Sequence, residues 1–405
     1  MTEPHAAAAT DPEARTATGR APGAGRASPP RHVYVHAPFC ARRCGYCDFA
    51  VTVAADPPVD AWAECVGREL GMLADAREWD ALELETLYLG GGTPSLLGVG
   101  AVPALLDAVG GRARTDGLAE FTAEANPESF TPELAADWVA AGVDRVSLGA
   151  QTFHGPSLRW MGRLHGPDGP GGAVQVARDA GLENVGLDLI FGLPERLGRD
   201  LDRDLDRILT LAPEHISVYG LSVEPETPLG RWVAEGRETL PDEDRYGEEY
   251  RTVTDRLRAA GYHHYEVSNF ALPGKEARHN AAYWRGVAYL GLGNGAHSFV
   301  APERWWNRRD WPAYRAAVEA GELPRSDTER LTAEAAKLER IWLGLRTADG
   351  LDRAVLGARQ EALAADWERA GWAVIDEDRV RLTPEGWLLL DRLAVELDTA
   401  GTGVA

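Results

Sequence analysis

The chain contains little lysine, few cysteines and no long apolar run. Lysine occurs only at Lys275 and Lys337 among 405 residues, and the formal charge is −21. Because nucleic acids are bound largely through positive charges at their phosphates, a chain this acidic is a poor candidate for nucleic-acid binding. No apolar run reaches the roughly 18 residues that a membrane-spanning helix requires. We therefore expect no nucleic acid as a partner and no membrane-spanning segment.

The amino terminus lacks the apolar core that a signal peptide requires. Residues 1–30 are rich in Ala, Pro, Gly and Thr, a composition that does not bury a core. We expect a disordered tail over this segment and a cytoplasmic protein. Three of the four cysteines lie between positions 40 and 47, which does not suit a disulfide framework. In a reducing compartment, such a cluster indicates a metal site.

A repeat of short strands and amphipathic helices begins at residue 32. Strands are predicted at 32–38, 85–91, 120–125, 144–150, 184–192 and 215–222, and helices at 60–78, 132–141, 171–181 and 198–211. Parallel strands need long crossover connections, so this alternation predicts an α/β fold with an open, partial (βα)6 barrel. A helix at 242–260 and a strand at 262–270 are expected to close it in part.

The pattern changes near residue 310. Helices are predicted at 332–347, 359–372 and 385–397, with a hairpin that turns at Asp-Glu-Asp, 376–378. This order predicts a small α+β, winged-helix-like C-terminal domain, whose acidity favours a packing or lid role over DNA binding. The predicted units are a tail (1–30), the partial barrel (31–257), a barrel extension (258–310) and the C-terminal domain (311–405). An aromatic group is expected to pack between barrel and C-terminal domain: Trp305, Trp306, Trp311 and Tyr314.

Cys40, Cys44 and Cys47 follow the first predicted strand with the spacing C-x3-C-x2-C. Structural zinc sites usually have four ligands in two short pairs, and this sequence has a single short cluster. His36 is a fourth ligand in principle, although it lies in an alternating strand, and Cys65 lies in a predicted helix as a core residue. A [4Fe-4S] cluster held by three thiolates leaves one iron open and fits this spacing better.

Six further motifs accompany the cysteine segment "YVHAPFCARRCGYCDF". They are "GGGTPS" (90–95), "EANPES" (124–129), "SLGAQTF" (147–153), "GLDLIFGLP" (186–194), "HNAAYW" (279–284) and "GLGNGAHS" (291–298). In this order the motifs resemble the radical S-adenosylmethionine (SAM) superfamily. The resemblance runs from about residue 32 to residue 390 and is to the branch that contains oxygen-independent coproporphyrinogen III oxidase and its heme-chaperone relatives.

This resemblance implies a [4Fe-4S] cluster on Cys40, Cys44 and Cys47, with SAM bound at the open iron. In the superfamily, an electron from the cluster cleaves SAM to a 5′-deoxyadenosyl radical. The residues that the resemblance places around SAM are Tyr34, Tyr46, Gly91, Gly92, Thr93, Glu124, Gln151, Arg163 and Asp188. Three of these, Glu124, Gln151 and Asp188, are expected at the ends of successive strands. Arg163 is expected to pair with the SAM carboxylate.

Two features separate the oxidases from the heme chaperones. The oxidases carry a fourth cysteine two positions after the third, where this chain has Phe49; the opening tail also does not resemble their amino-terminal segment. The "HNAAYW" motif matches the HNxxYW signature of the heme chaperones and implies His279 as a candidate heme ligand, since imidazole commonly ligates heme iron. His297 and the adjacent His263 and His264 are expected to be structural.

The sequence thus predicts a heme chaperone that binds heme, a [4Fe-4S] cluster and exchangeable SAM. It would pass heme to an acceptor hemoprotein, such as a respiratory-chain protein. One alternative is an enzyme, either coproporphyrinogen III dehydrogenase or a different radical SAM enzyme. A second is an interaction protein stapled by zinc. The sequence identifies neither catalytic residues nor the electron donor.

Overall fold

The computed structural model describes residues 28–402, so the predicted tail lies outside the described residues except for its last three. The strands are β1 (His32–Ala37), β2 (Phe39–Cys40), β3 (Thr52–Val53), β4 (Leu82–Glu83), β5 (Thr86–Gly91), β6 (Ala113–Arg114), β7 (Glu120–Ala125), β8 (Arg145–Gln151), β9 (Val185–Phe191), β10 (His215–Gly220), β11 (His263–Glu266), β12 (Asn269–Ala271), β13 (Tyr289–Leu292), β14 (His297–Val300), β15 (Glu303–Asn307), β16 (Arg325–Arg330), β17 (Leu351–Asp352), β18 (Ala373–Ile375) and β19 (Arg379–Leu382). The helices are α1 (Val59–Arg77), α2 (Ala101–Val109), α3 (Pro132–Ala140), α4 (Gly155–Met161), α5 (Gly169–Asp179), α6 (Leu201–Leu211), α7 (Pro228–Ala234), α8 (Glu243–Ala259), α9 (Arg278–Trp284), α10 (Trp311–Glu319), α11 (Ala333–Leu345), α12 (Ala358–Arg369), α13 (Pro384–Trp387) and α14 (Leu390–Thr402).

The predicted strands form the centre of one large sheet. Strands β1, β5, β7, β8, β9 and β10 are neighbours in that order, and every pair among them is parallel. Helices connect them and cover the sheet with apolar faces. In α1, for example, Trp62, Val66, Leu70 and Leu73 are buried at helical spacing. The predicted α/β partial barrel is confirmed.

The sheet continues beyond these strands on both sides. Next to β1 lies β13, which is parallel and places Tyr289 opposite His32, and β14 to β16 follow in antiparallel order. On the other side, the predicted single strand at 262–270 is a hairpin of β11 and β12. The Glu266 carboxylate accepts hydrogen bonds from Ser268 N at 2.9 Å and Asn269 Nδ2 at 2.5 Å. These bonds stabilise a turn within that segment.

The last part of the chain has an apolar core of its own, formed from Ile341 onward. It contains α11, α12 and a three-stranded sheet in the order β17-β19-β18. The predicted final helix is divided: α13 ends at Trp387 and α14 begins at Leu390. Within residues 28–402, no helix combines the length and apolar character needed to cross a membrane.

The barrel sheet and its core extend past residue 311, where the C-terminal domain was predicted to begin. Strand β16 is the edge strand of the large sheet, and Trp311 and Tyr314 of α10 belong to the barrel core together with Trp305. These aromatic side chains therefore pack inside the barrel instead of between the two predicted domains. The reason is that α10 packs against α1, whose buried side chains belong to the same core.

Candidate functional site

The three clustered cysteines lie in the loop that follows β1. Short strands β2 and β3 pair in parallel and hold the two ends of this loop together, and Cys47 N donates to Cys44 O across a turn at 3.3 Å. All three cysteines are half-buried and none is in a disulfide. The loop therefore presents its sulfur atoms at the carboxyl edge of the parallel sheet, where α/β barrels place their functional groups.

Each outer cysteine of the motif has its own hydrogen-bond donor. Thr93 Oγ1 donates to Cys40 Sγ at 3.5 Å, and Phe49 N donates to Cys47 Sγ at 3.4 Å. Burial raises the pKa of the Cys40 thiol, and it raises the pKa of the Cys47 thiol to about 11. Burial thus disfavours the ionised form of both sulfurs, which a bound cation would favour, and hydrogen bonds to sulfur are among the contacts that tune iron–sulfur clusters.

The three cysteines are also candidate ligands of a metal centre. Among residues 28–402, no group of three or more His, Cys, Asp or Glu side chains has the arrangement that holds one metal ion. A [4Fe-4S] cluster makes a different demand, because each of its thiolates binds a different iron and the sulfurs need not converge on one point. The loop and its donors are therefore compatible with such a cluster on three cysteines.

Arg163 connects the middle cysteine to two neighbouring strands. Its guanidinium donates through Nη2 to Gly149 O at 2.7 Å and to Asn126 Oδ1 at 2.5 Å, and its Nη1 lies 3.9 Å from Cys44 Sγ. Asn126 Nδ2 in turn donates to Thr93 Oγ1 at 3.1 Å. These contacts join the cysteine loop, the glycine-rich loop and the end of β7 into one polar network.

A cavity of about 220 Å³ opens next to this network. Its lining includes Cys44, Thr93, Asn126, Ser129 and Arg163. Three of these were singled out from the sequence, whereas Asn126 and Ser129 were not. Both lie in the quoted motif "EANPES", so the motif itself was the available signal. The cavity has polar groups of several kinds beside a cysteine, as a site for a charged, nucleoside-bearing cofactor requires.

The glycine-rich loop after β5 approaches the neighbouring backbone closely. Gly91 has φ +112°, and a Cβ there would lie 2.4 Å from the His36 ring. A Cβ on Gly92 would lie 2.8 Å from Phe39 O. Larger residues therefore do not fit, because the loop passes directly under the start of the cysteine segment.

Glu124 is the buried carboxylate of this region. It accepts from Gly91 N at 2.9 Å and from Tyr88 OH at 2.7 Å. Burial raises its pKa to about 7, with a smaller contribution from the negative charge of Asp188. Tyr88 was not predicted as a site residue, and its place on β5, two residues before Gly90, is the signal that was missed. A carboxylate held this way is positioned to accept hydrogen bonds from ribose hydroxyls or an ammonium group.

Two more of the predicted SAM residues, Asp188 and Tyr34, lie within their strands and not at the carboxyl ends. Asp188 is the fourth residue of β9 and accepts from Ser147 Oγ at 3.1 Å, so it does not end its strand as expected. Burial raises its pKa. Tyr34 OH is 3.0 Å from His36 Nδ1, and its ring lies 5.8 Å from the Tyr88 ring. Both side chains thus line the interior below the cysteine loop.

The remaining predicted SAM residues lie on the other side of the cavity. Gln151 is the last residue of β8 and has φ 65° next to an irregularity in the strand. Tyr46 is half-buried against a small apolar cluster that includes Met161 and Leu229. Phe49, by contrast, is 62% exposed at the loop surface. The position at which the oxidases carry a fourth cysteine is thus open to solvent in this chain.

His279 lies at the opposite edge of the sheet. Its backbone N–H donates to Glu120 Oε1 at 2.9 Å, and its Nδ1 is 2.7 Å from Thr86 Oγ1. Glu120 and Thr86 are the first residues of β7 and β5. Strands rise roughly 3.3 Å per residue, which separates this edge from the cysteine loop by most of the strand length.

Both ring nitrogens of His279 are engaged. Nε2 is 2.7 Å from Tyr283 OH, and Nδ1 is bonded to Thr86. The side chain is fully buried, and this burial lowers its pKa to about 3. In this conformation His279 has no free nitrogen for an iron, so ligation of heme requires that α9 or its neighbours move.

The three other histidines that were considered, His263, His264 and His297, have structural contacts. His264 stacks on Phe270 with ring centroids 3.9 Å apart, and its pKa is lowered to about 3 by burial. His297 stacks on Trp306 at 5.6 Å, and His263 lies 3.5 Å from the Glu276 carboxylate at the surface.

Comparisons with known proteins identify the family of the chain. Residues 34–208 match the Radical SAM superfamily. The heme chaperone HemW of Mycobacterium tuberculosis (strain H37Rv) is 40% identical over 369 residues, which cover 89% of this chain and 93% of that protein. HemW of Bacillus subtilis (strain 168) is 35% identical over 324 residues, which cover 80% of this chain and 85% of that protein.

A solved structure shows the same fold. Coproporphyrinogen III oxidase (HemN) from Escherichia coli superposes with a TM-score of 0.75 and 22% sequence identity, covering 91% of this chain and 90% of that chain. At this identity the likeness concerns architecture alone, whereas the HemW relatives are similar in sequence along most of their length. The chain belongs to the family of the heme chaperone HemW within the radical SAM superfamily.

Proposed function

We propose that this protein is a cytoplasmic heme chaperone that binds heme and delivers it to an acceptor hemoprotein, such as a respiratory-chain protein. The observation that supports this most directly is its similarity to HemW along nearly the whole chain. The solvent-exposed Phe49 at the position of the oxidases' fourth cysteine points the same way. The protein would hold a [4Fe-4S] cluster and exchangeable SAM beside the cavity.

The cluster is assigned to Cys40, Cys44 and Cys47, and when bound it supplies an electron for the cleavage of SAM. Around it, the chain's own groups would bind and orient the cofactor. Arg163 is a half-buried cation beside Cys44. Its Nη2 is bonded to Gly149 O and Asn126 Oδ1, so its Nη1 would be the donor to a SAM carboxylate. Glu124, fixed by Gly91 N, would accept hydrogen bonds from the opposite end of SAM.

The heme site is assigned to the HNxxYW motif, with His279 as the iron ligand. Tyr283 and Trp284 lie on the same short helix and offer aromatic surface for the macrocycle. The buried, doubly hydrogen-bonded state of His279 corresponds in this proposal to the protein before heme loading.

Hemin titration of anaerobically reconstituted protein tests the proposal. We expect a Soret band that elutes with the protein in gel filtration, at one heme per chain. The His279→Ala variant should retain less heme, and His263→Ala, which removes an exposed histidine, serves as the matched control. Absence of protein-bound heme in the wild type would overturn the chaperone function.

A second incubation addresses the oxidase alternative. The protein is kept anaerobic with reductant, SAM and coproporphyrinogen, and the porphyrins are separated chromatographically. We expect the substrate to remain unchanged. Accumulation of protoporphyrinogen would contradict the chaperone function. It would instead indicate the reaction of coproporphyrinogen III oxidase (HemN), whose structure has a similar fold.

A further inference from the structure

Arg346 is a fully buried arginine where α11 meets the barrel extension. Its Nη2 lies 3.1 Å from Glu266 Oε2, and both side chains are at most 2% exposed. Its guanidinium lies 4.2 Å from the ring centroid of Trp284 and 5.3 Å from that of Trp342. Planar guanidinium groups bind aromatic faces and carboxylates at the same time, which lysine does not.

The backbone around Arg346 is joined to the β11–β12 hairpin. Val267 N donates to Arg346 O at 3.2 Å, and Ala348 N donates to Tyr265 O at 2.9 Å. Glu266 and Thr347 form an isolated antiparallel bridge between these segments. Arg346 therefore marks the point at which the C-terminal part of the chain is attached to the barrel.

Trp284, the aromatic residue under Arg346, is the last residue of α9 and of the HNxxYW motif. Helix α9 has seven residues, too few to be stable without tertiary contacts. Its start is held by Glu120, which accepts from Arg278 N and His279 N at 2.9 Å each. Its end is held by the stacking of Trp284 against Arg346. The position of His279 therefore depends on contacts at both ends of the helix.

The contact at Trp284 leaves one group unsatisfied. Within the described part of the chain, the buried indole Nε1 of Trp284 has no hydrogen-bond partner. An unpaired buried donor disfavours the conformation that contains it. The contact with Arg346 thus holds α9 in place although the unpaired indole N–H of Trp284 destabilises this conformation. A helix held in this way can be released when the contact with Arg346 is lost.

We propose that Arg346 is a positioning residue of the heme site: it holds Trp284 and thereby keeps α9 in the position that buries the His279 ring against Thr86, so that heme reaches His279 only when this contact opens. The inference rests on the proposed heme-chaperone function. It gives the C-terminal domain a specific role, because movement of α11 would withdraw Arg346 from Trp284 and free the helix.

The test uses a double variant that removes the ion pair without leaving a buried charge, Glu266→Gln with Arg346→Met. Replacing both partners avoids the uncompensated carboxylate that a single deletion creates. Arg346→Lys is a second, milder variant, which keeps the charge and loses the planar stacking. The matched control is Arg251→Met, because Arg251 pairs with Glu385 of α13 across the same two parts of the chain, at 3.0 Å and half-exposed.

Two measurements are made on each full-length variant. Hydrogen exchange of the amides in 278–284 reports the closure of α9 independently of heme, and stopped-flow Soret absorbance reports the rate of hemin association. We expect faster exchange and an association rate raised by about tenfold in the double variant, with a smaller rise in Arg346→Lys. Arg251→Met should behave as the wild type. Adding His279→Ala to the double variant should abolish the gain in association rate.

Unchanged exchange in both Arg346 variants would overturn the inference. A gain in association rate that persists without His279 would also overturn it, since the released helix would then not be guarding that ligand. Faster exchange in a protein that binds no hemin at all would support the hold of Arg346 on α9 while removing the proposed chaperone function. Failure of the inference about Arg346 and failure of the proposed chaperone function therefore give different results.

Discussion

Arg163 shows how a single half-buried side chain organises the candidate SAM site. It contacts three segments that are far apart in sequence, through Cys44, Asn126 and Gly149. A cation at this point balances the negative charge that ionised cysteines and a bound carboxylate would bring. It is therefore the residue whose loss should separate SAM binding from cluster binding.

The prediction at this scale concerns Arg163→Met. Isothermal titration of the reconstituted protein should give a Kd for SAM raised by about ten- to hundredfold, since a hydrogen bond to a charged group contributes about 1.5–3 kcal/mol. Arg159→Met, at an exposed position of α4 four residues before Arg163, should leave the affinity unchanged. Equal SAM affinities for wild type and Arg163→Met, at equal iron content, would exclude Arg163 from the SAM site.

The residues that the sequence predicted differ in how well their environment was foreseen. Cys44, Thr93 and Arg163 line one cavity, and Thr93 also contacts Cys40 through a hydrogen bond to its sulfur. Asp188 did not end its strand, because β9 continues for three more residues than the motif suggested. The burial of His279 was not visible in its motif either, since it depends on Thr86 of β5 as well as on Tyr283, which lies four positions further along the same helix.

At the scale of elements, the glycine-rich loop between β5 and the following turn limits what can approach the cysteine segment. Gly91 combines a positive φ with a virtual Cβ only 2.4 Å from the His36 ring. Gly98, seven positions later, has φ +81° and nothing within 4 Å of its virtual Cβ. The two glycines share the conformational constraint and differ in crowding.

We expect Gly91→Ala to lower the melting temperature and the cluster content more than Gly98→Ala does. Both variants carry the cost of a positive φ, which is about 1–3 kcal/mol for a non-glycine residue held in a sparsely populated backbone region. Only Gly91→Ala must also displace His36. Thermal unfolding and iron analysis check this. Equal losses in the two variants would mean that crowding at His36 has no effect.

A second prediction at the scale of elements concerns Glu69, a buried residue of α1. The carboxylate accepts from Gly293 N at 2.8 Å and Tyr314 OH at 2.7 Å through Oε2, and from Asn307 Nδ2 at 2.5 Å through Oε1. It thereby ties α1 to the end of β13, to β15 and to α10. Burial raises its pKa from 4.5 to about 7.

A raised pKa in the folded state means that the native protein binds this proton more tightly than the unfolded chain. The stability from Glu69 is then fully present below about pH 4.5 and is lost as the pH rises through about 7. Denaturant unfolding should show that Glu69→Gln reduces the loss of stability between about pH 5 and pH 8 by about 2–3 kcal/mol. Glu64→Gln, at an exposed site of the same helix, should keep the wild-type difference. An unaltered profile in Glu69→Gln would refute this assignment.

For the whole molecule, periodicity and motif order were sufficient to predict the parallel strands and their connections. They were not sufficient for contacts between distant segments. The pairing of β13 with β1 joins residues about 250 positions apart along the chain, and short-range patterns do not report such pairings. The boundary of the C-terminal domain was placed too early for the same reason, since α10 and β16 attach to the barrel through long-range packing.

The architecture separates two regions that the proposed function uses. The cysteine loop and cavity lie at the carboxyl edge of the sheet, and the HNxxYW helix lies at the amino edge. Both regions belong to one continuous sheet, and the C-terminal part contacts the second through Arg346. A chaperone of this form would load heme at one edge while the cofactors remain bound at the other.

Heme transfer is the measurement that tests this account most directly. Protein loaded with hemin under anaerobic conditions is mixed with the apo form of a b-type respiratory hemoprotein, and the two are separated by size after mixing. The account predicts that heme leaves the chain and gives the acceptor the Soret spectrum of its native form. This transfer should be faster than transfer from hemin bound to albumin. Heme that stays on the chain, or reaches the acceptor no faster than from albumin, would contradict it.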